Sequence, residues 1–265
     1  MRISEDVRKL ERPVPKEMRF LLYNIRYATA KKRPVFPWSG YLSQTGPHLG
    51  QIVEFIRDID PDVAGLVEVD AGSFRTKESH QAETMAAALG HYHSFNSKYC
   101  ESTRVSNLPV LKKQGNAFLA KDSIVKEQFH YFTKGMKRLV IELELEHVTI
   151  FLVHLALGYK TRHRQLAQLY SLIRDIDRPL IVAGDFNALW GEDEIDLFLG
   201  ATKLLDANTQ SIPTFPSWKP TRHLDFILHS PEIEVNKFWI PEVQLSDHLP
   251  LVIDFDVKPK ASVST

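Results

Sequence analysis

Short apolar runs that end in a polar residue recur along the chain, separated by segments whose apolar positions fall at helical spacing. Met18–Tyr23 ends at Asn24, Val63–Val67 at Glu68, and Val148–Val153 at His154. Leu180–Ala183 follows Pro179 and leads through Gly184 to Asp185 and Asn187. Runs of this length predict buried strands. Helices are predicted where Leu49, Ile52, Val53 and Ile56 share a face, with Pro47 in the first turn and Asp60-Pro61 as the stop. Ala82, Met85, Ala86 and Leu89 mark a second helix closed by Gly90, Leu166, Leu169, Tyr170 and Ile173 a third, and Asp193–Leu199 a short fourth. Further strands are expected at Asn116–Ala120, at Leu139–Leu145 with its alternation of apolar and acidic residues, at Leu224–Leu228 with Asp225, and at Leu251–Phe255. Glu146-His147 reads as the turn of a hairpin, and residues 26–46, 96–114 and 214–223 read as long loops.

The pattern repeats. The pentapeptide Ile-Arg-Asp-Ile-Asp occurs at Ile56–Asp60 and Ile173–Asp177, and the same 117-residue shift carries Leu49, Ile52 and Val53 onto Leu166, Leu169 and Tyr170. It also carries Glu68 onto Asp185. Each unit is helix, stop, strand and terminal carboxylate, preceded by a strand ending in Asn24 or His154. Two such α/β halves packed face to face bring their strand ends together.

Composition narrows the partners. The 33 basic and 33 acidic residues give a formal net charge of zero, against indiscriminate binding to nucleic acid or anionic membrane. One cysteine, Cys100, excludes an intrachain disulfide and a cysteine-rich zinc site and fits a reducing, cytoplasmic setting. No apolar stretch reaches transmembrane length, and the polar start lacks the apolar core of a signal peptide. Residues 1–17 read as a polar lead-in, 18–257 as one domain and 258–265 as a frayed tail; nothing marks an obligate protein partner.

The polar residues at strand ends are Asn24, Glu68, His154, Asp185, Asn187, Asp225, Asp247 and His248. Taken singly, each also suits a turn, a helix cap or a solvated loop. Together, carboxylate and amide oxygens with few imidazoles suit a hard ion, Mg²⁺ or Mn²⁺, that takes phosphate oxygens as further ligands. The chemistry implied is phosphoester hydrolysis, with His248 as a base oriented by Asp225.

The segments LLYNIR, GLVEVD, GNAFLA, VHLALG, VAGDFNA, HLDFIL and SDHLP, in that order from Met18 to Asp256, resemble the endonuclease/exonuclease/phosphatase superfamily. The resemblance implies a four-layer α/β sandwich, two mixed β-sheets face to face with helices outside, in agreement with the two-half reading. It implies that Asn24, Glu68 and Asp247 hold the metal, and that His154, Asp185 and Asn187 contact the phosphate and transition state. Asp225 and His248 become the Asp-His pair, with the role of base shared between His248 and Asp185. Asn116 matches a position near the active centre.

Val67 stands where many members have glutamine, and Arg26 where apurinic endonucleases have an acidic residue. Arg26, Trp218 and Arg222 are candidate substrate contacts, beside Arg33, Trp38, Lys112, Lys113 and Lys219 in the flanking loops. The expectation is a metal-dependent phosphodiesterase acting on a small molecule or lipid head group. A nuclease is the alternative, and a non-catalytic binding module on the same scaffold the second. The filled catalytic positions weigh against that last reading.

Overall fold

In the computed structural model the first apolar run forms β1 (Met18–Asn24) and the second β2 (Val63–Asp70), joined by helix α1 (Gly46–Ile59). The structure describes residues 17–29, 46–73, 76–97, 113–189, 191 and 193–258. The expectations for residues 1–16, Arg33, Trp38, Cys100, Lys112 and the tail beyond Lys258 lie outside the described residues. Helix α2 (Gln81–Leu89) ends where Gly90 takes a left-handed φ of 70°, and strands β3 (Tyr92–Ser97) and β4 (Gln114–Ala120) follow. The second half comprises β5 (Lys126–Tyr131), β6 (Leu139–Glu144), β7 (Thr149–His154), α3 (Tyr159–Ile173), β8 (Leu180–Asp185) and α4 (Asp193–Thr202). The short β9 (Leu205–Asp206) and β10 (Asp225–His229) complete its sheet, while β11 (Ile233–Trp239) and β12 (Leu251–Val257) return to the first.

Two six-stranded sheets result, in the orders β11-β12-β1-β2-β4-β3 and β5-β6-β7-β8-β10-β9. Each has one parallel pair, β1–β2 or β7–β8, and antiparallel neighbours elsewhere. The halves are therefore built alike. Alternation along the strands divides the core. Phe20 and Leu22, Val63 and Val67, Ile150 and Leu152, Ile181 and Ala183 face the opposite sheet. Leu21, Tyr23, Ala64 and Leu66 pack on α1 and α2, and Phe151, Val153, Val182 and Phe226 on α3 and α4. The product is the four-layer α/β sandwich. Each fully buried aliphatic or aromatic side chain contributes about 1.5–3 kcal/mol, so the inter-sheet face fixes the stacking.

The register corrects one equivalence drawn from the repeat. His154 stands opposite Asp185 across β7–β8, and Asn24 stands opposite Val67 across β1–β2. Val67, not Glu68, is thus the sheet counterpart of Asp185. The 117-residue shift of the helices becomes 118 along the paired strands, and the extra residue at Glu68 restores it beyond the bulge.

Candidate active site

The inner-face alternation runs on past the core at one end of the sandwich, where its residues become polar. Phe20, Leu22 and then Asn24 share a face of β1; Ile150, Leu152 and His154 share one of β7; Ile181, Ala183 and Asp185 one of β8. Asn116 continues the line of Phe118 and Ala120, and Asp225 that of Ile227. Period-two geometry therefore delivers these residues into the gap between the sheets. All are buried, at 3% exposure or less.

Glu68 arrives differently. Leu66 pairs with Ala117 and Val69 with Gly115, so Val67 and Glu68 together oppose Asn116 in a β-bulge. Glu68 has a φ of 60°, which turns a carboxylate that alternation would aim at α1 toward the inter-sheet site. Its Oε1 lies 4.0 Å from His154 Nε2. The Glu68 N–H is directed to Asn116 Oδ1 at 3.4 Å.

Asp185 lies at the centre. Asn24 Nδ2 donates to its Oδ2 at 3.2 Å, and the Asn187 backbone N–H donates to Oδ1 at 3.0 Å. His154 Nε2 is 3.2 Å and His248 Nε2 3.9 Å from Oδ2. Burial alone raises this carboxyl, but His154, His248 and Lys137 outweigh it and hold it well below the ordinary range. Gly184, with φ 153°, permits the close β7–β8 approach just before it: a Cβ there would lie 1.9 Å from the Val153 carbonyl oxygen. Asn187 takes a left-handed φ of 52° and donates from Nδ2 to Leu155 O at 2.9 Å, which ties the strand end to the loop after His154.

His248 Nδ1 and Asp225 Oδ2 are 2.8 Å apart, and Thr214 Oγ1 donates to the same oxygen at 2.6 Å. Burial opposes a charged imidazole, yet Asp225, Asp185 and Asp247 raise His248 to about 10. His154 is moved the other way: burial, reinforced by Lys137, lowers it to about 4 against the pull of Asp185 and Glu68. The Lys137 ammonium contacts His154 Nε2 directly.

Arg26, itself buried, sits in a left-handed turn with Tyr27 and Ala28, φ 46°, 57° and 52°, and its Nε lies 3.4 Å from Asp247 Oδ2. The charge expected to meet a substrate is thus set against a candidate metal ligand. The 214–223 loop rests on the Asp247 segment through Ser217, whose N–H donates to Asp247 O at 2.7 Å and whose Oγ donates to Ser246 O at 2.6 Å. Within it Trp218 is half-buried, and Arg222 is exposed, donating to Leu189 O at 3.2 Å. Lys113 is half-buried at the entry to β4 and Lys219 exposed.

The donor set fits a hard divalent cation: Glu68, Asp185, Asp225 and Asp247 offer carboxylate oxygens and Asn24 an amide oxygen. Among the described residues the ligand atoms of Asp185, Asp225 and His248 lie within 4.8 Å of one another, close enough to hold an ion. Asp225 Oδ2 is already engaged by His248 and Thr214. Lys137 and Thr214 were missed in the sequence. The legible signal for Lys137 was the basic, glycine-containing tip Thr133-Lys134-Gly135-Met136-Lys137-Arg138 between two strands.

Comparison with known proteins agrees with this architecture. An endonuclease/exonuclease/phosphatase from Beutenbergia cavernae superposes with a TM-score of 0.70 at 18% identity, over 92% of this chain and 73% of that one. The mannosyl-6-phosphatase Bt3783 of Bacteroides thetaiotaomicron superposes at 0.66 with 17% identity, over 90% of this chain and 99% of that one. At these identities the likeness is one of fold. A UPF0294 protein of Vibrio cholerae is 31% identical over 116 residues, 42% of this chain. That match spans only 40% of the relative's length. The family profile itself runs over residues 21–248, from the first strand to the terminal histidine of the site, and the chain belongs to the Endonuclease/Exonuclease/phosphatase family.

Proposed function

We propose that the protein is a divalent-metal-dependent phosphodiesterase acting on a small molecule or lipid head group. Members of the family are in general phosphoester hydrolases. The observation that carries the reading is the convergence of two histidines on one buried carboxylate, His154 at 3.2 Å and His248 at 3.9 Å from Asp185 Oδ2, with Asp225 behind His248. In this reading the phosphoryl group lies against these opposed histidines.

In this reading Asn24 and the Asn187 N–H fix Asp185 so that it orients the attacking water and takes its proton. His248, anchored at Nδ1 by Asp225, presents Nε2–H to a phosphoryl oxygen as negative charge accumulates there. Asn24, Glu68 and Asp247 would hold Mg²⁺ or Mn²⁺, which when bound polarises the phosphoryl oxygens and stabilises the leaving oxygen. Arg26, through its pair with Asp247, orients one of those ligands. Asn116 secures another, Glu68, by holding its bulge.

Formal neutrality and the pairing of Arg26 with Asp247 favour a compact substrate over a long polyanion. No helix among the described residues is long and apolar enough to cross a membrane. The test is a panel of bis(p-nitrophenyl) phosphate, phospholipid, inositol phosphate, nucleotide, and DNA and RNA oligonucleotides, each with Mg²⁺ and Mn²⁺. Metal-dependent release from a small diester is expected. Preference for an oligonucleotide, with turnover falling steeply as salt rises, would identify a nuclease instead. Inactivity throughout would leave a binding scaffold.

A further inference from the structure

Lys137 belongs to the hairpin between β5 and β6, outside every segment that announced the site. Its ammonium nevertheless reaches His154 Nε2, the same nitrogen that lies 3.2 Å from Asp185 Oδ2 and 4.0 Å from Glu68 Oε1. Of the three donors on an ammonium, one is directed to His154, leaving two for an anion in the same gap. The head of this half-buried lysine thus stands beside the histidine that faces Asp185 and Glu68, in the gap where the phosphoesterase reading puts a phosphoryl group.

Two glutamines of α3 hold the hairpin: Gln168 bonds Thr133, and Gln165 holds the end that carries Lys137. Gln165 on α3 is fully buried and directs its amide nitrogen to Lys137 O at 2.7 Å and Lys134 O at 3.0 Å. Its amide oxygen accepts the Ala156 N–H at 2.8 Å, two residues beyond His154. One carboxamide thus joins the backbone of the lysine to the backbone following its histidine. Gly135 makes room for it: at φ 107°, an added Cβ would lie 2.8 Å from Gln165 Nε2.

We propose that Lys137 is a catalytic residue whose ammonium binds the phosphoryl oxygens of the substrate, and that Gln165 is the positioning residue that sets it against His154. The assignment rests on the phosphoesterase reading above and supplies it with a positive contact that Arg26, paired with Asp247, does not.

The test uses the full chain with Mg²⁺ and bis(p-nitrophenyl) phosphate, with inorganic phosphate as competing ligand. Lys137→Ala is expected to lower kcat by about 10²- to 10³-fold, as loss of a preorganised charge donor does. Its inhibition constant for phosphate rises, and Lys137→Arg recovers part of both. Gln165→Leu is expected to lower kcat in the native background and to add little in Lys137→Ala, because coupled residues are non-additive. Full turnover and unchanged phosphate inhibition in Lys137→Ala, with an active wild type, would overturn the role of Lys137. Additive losses in the double variant would overturn the positioning role of Gln165. A wild type inactive on the whole substrate panel would instead remove the phosphoesterase reading itself.

Discussion

Glu68 Oε1 lies 4.0 Å from His154 Nε2, and the contact spans the two sheets although neither strand's register alone would produce it. In the second half the acidic residue, Asp185, comes inward by plain alternation and stands opposite His154. In the first half the matching position is Val67, opposite Asn24, and the carboxylate is supplied by the extra residue of a bulge. The paired site is therefore asymmetric. One half offers a carboxylate on a regular strand, the other a carboxylate on strained backbone, where a non-glycine φ of 60° is held by its surroundings.

Asn116 is the group most directly responsible for that support, since its Oδ1 faces the Glu68 N–H that the bulge removes from the ladder. Asn116→Ala is expected to raise the metal concentration needed for half-maximal turnover by about 10- to 100-fold, the range for lost outer-shell contacts to a metal ligand. The turnover at saturating Mg²⁺ should change much less. A metal titration of activity separates the two, and an unchanged midpoint would remove Asn116 from this role.

Asp225→Asn keeps the shape of the His248 partner but takes away its charge. Turnover is expected to fall by about 10³- to 10⁴-fold, as when a histidine loses the carboxylate that fixes its tautomer and stabilises its charged form. His248→Ala should lose as much, and the double variant little more. Asp185→Asn should nearly abolish turnover with the fold intact by circular dichroism. Unimpaired hydrolysis in both His248→Ala and Asp185→Asn would sink the assignment of the site.

Which elements were legible follows from where they lie. The central strands β1, β2, β4, β7, β8, β10 and β12 bury both faces at their centres and read as apolar runs. The four strands that the sequence hid, β3, β5, β9 and β11, are the four edges of the two sheets. Tyr92–Ser97 and Lys126–Tyr131 carry the exposed polar residues that keep an edge from pairing with other chains, and this erases the apolar signal. Asn24, His154, Asp185 and Asp225 were legible because each terminates an inner-face run. The inward aim of Glu68 was not, because a bulge breaks the alternation on which such reading depends. Lys137 stayed hidden for a third reason: its position depends on Gln165, a contact across 28 residues between a hairpin and a helix.

The two site histidines should respond to pH with opposite signs in the metal-free protein. His154, lowered from 6.5 to about 4, is neutral when folded, while the unfolded chain takes up the proton near 6.5. Its contribution is thus complete above pH 6.5 and is lost as pH falls toward 4. His248, raised from 6.5 to about 10, is protonated when folded. Its contribution is complete below pH 6.5 and is lost as pH rises toward 10. Imidazole resonances recorded across this range check both: His154 should stay neutral and His248 charged at pH 6.5. A shared midpoint would contradict the opposed environments.

Beneath the loop after His154, Arg162 is completely buried and pairs with Glu194, which is 3% exposed at its side chain. The guanidinium Nε donates to Glu194 Oε1 at 2.7 Å, and Nη1 donates to Ala156 O at 3.0 Å and Leu157 O at 2.8 Å. The pair therefore fastens α3 to α4 and both to the backbone that follows His154. Removing one partner leaves an uncompensated buried charge, so Arg162→Met is expected to destabilise the protein by about 3–5 kcal/mol in denaturant unfolding. Arg162→Met combined with Glu194→Leu should recover much of that loss, because the stranded carboxylate is gone. It should not recover turnover fully, since the carbonyls of Ala156 and Leu157 still lack their donor and the loop beside His154 is less firmly placed. A double variant no more stable than Arg162→Met would show that the backbone contacts, rather than the ion pair, set the cost.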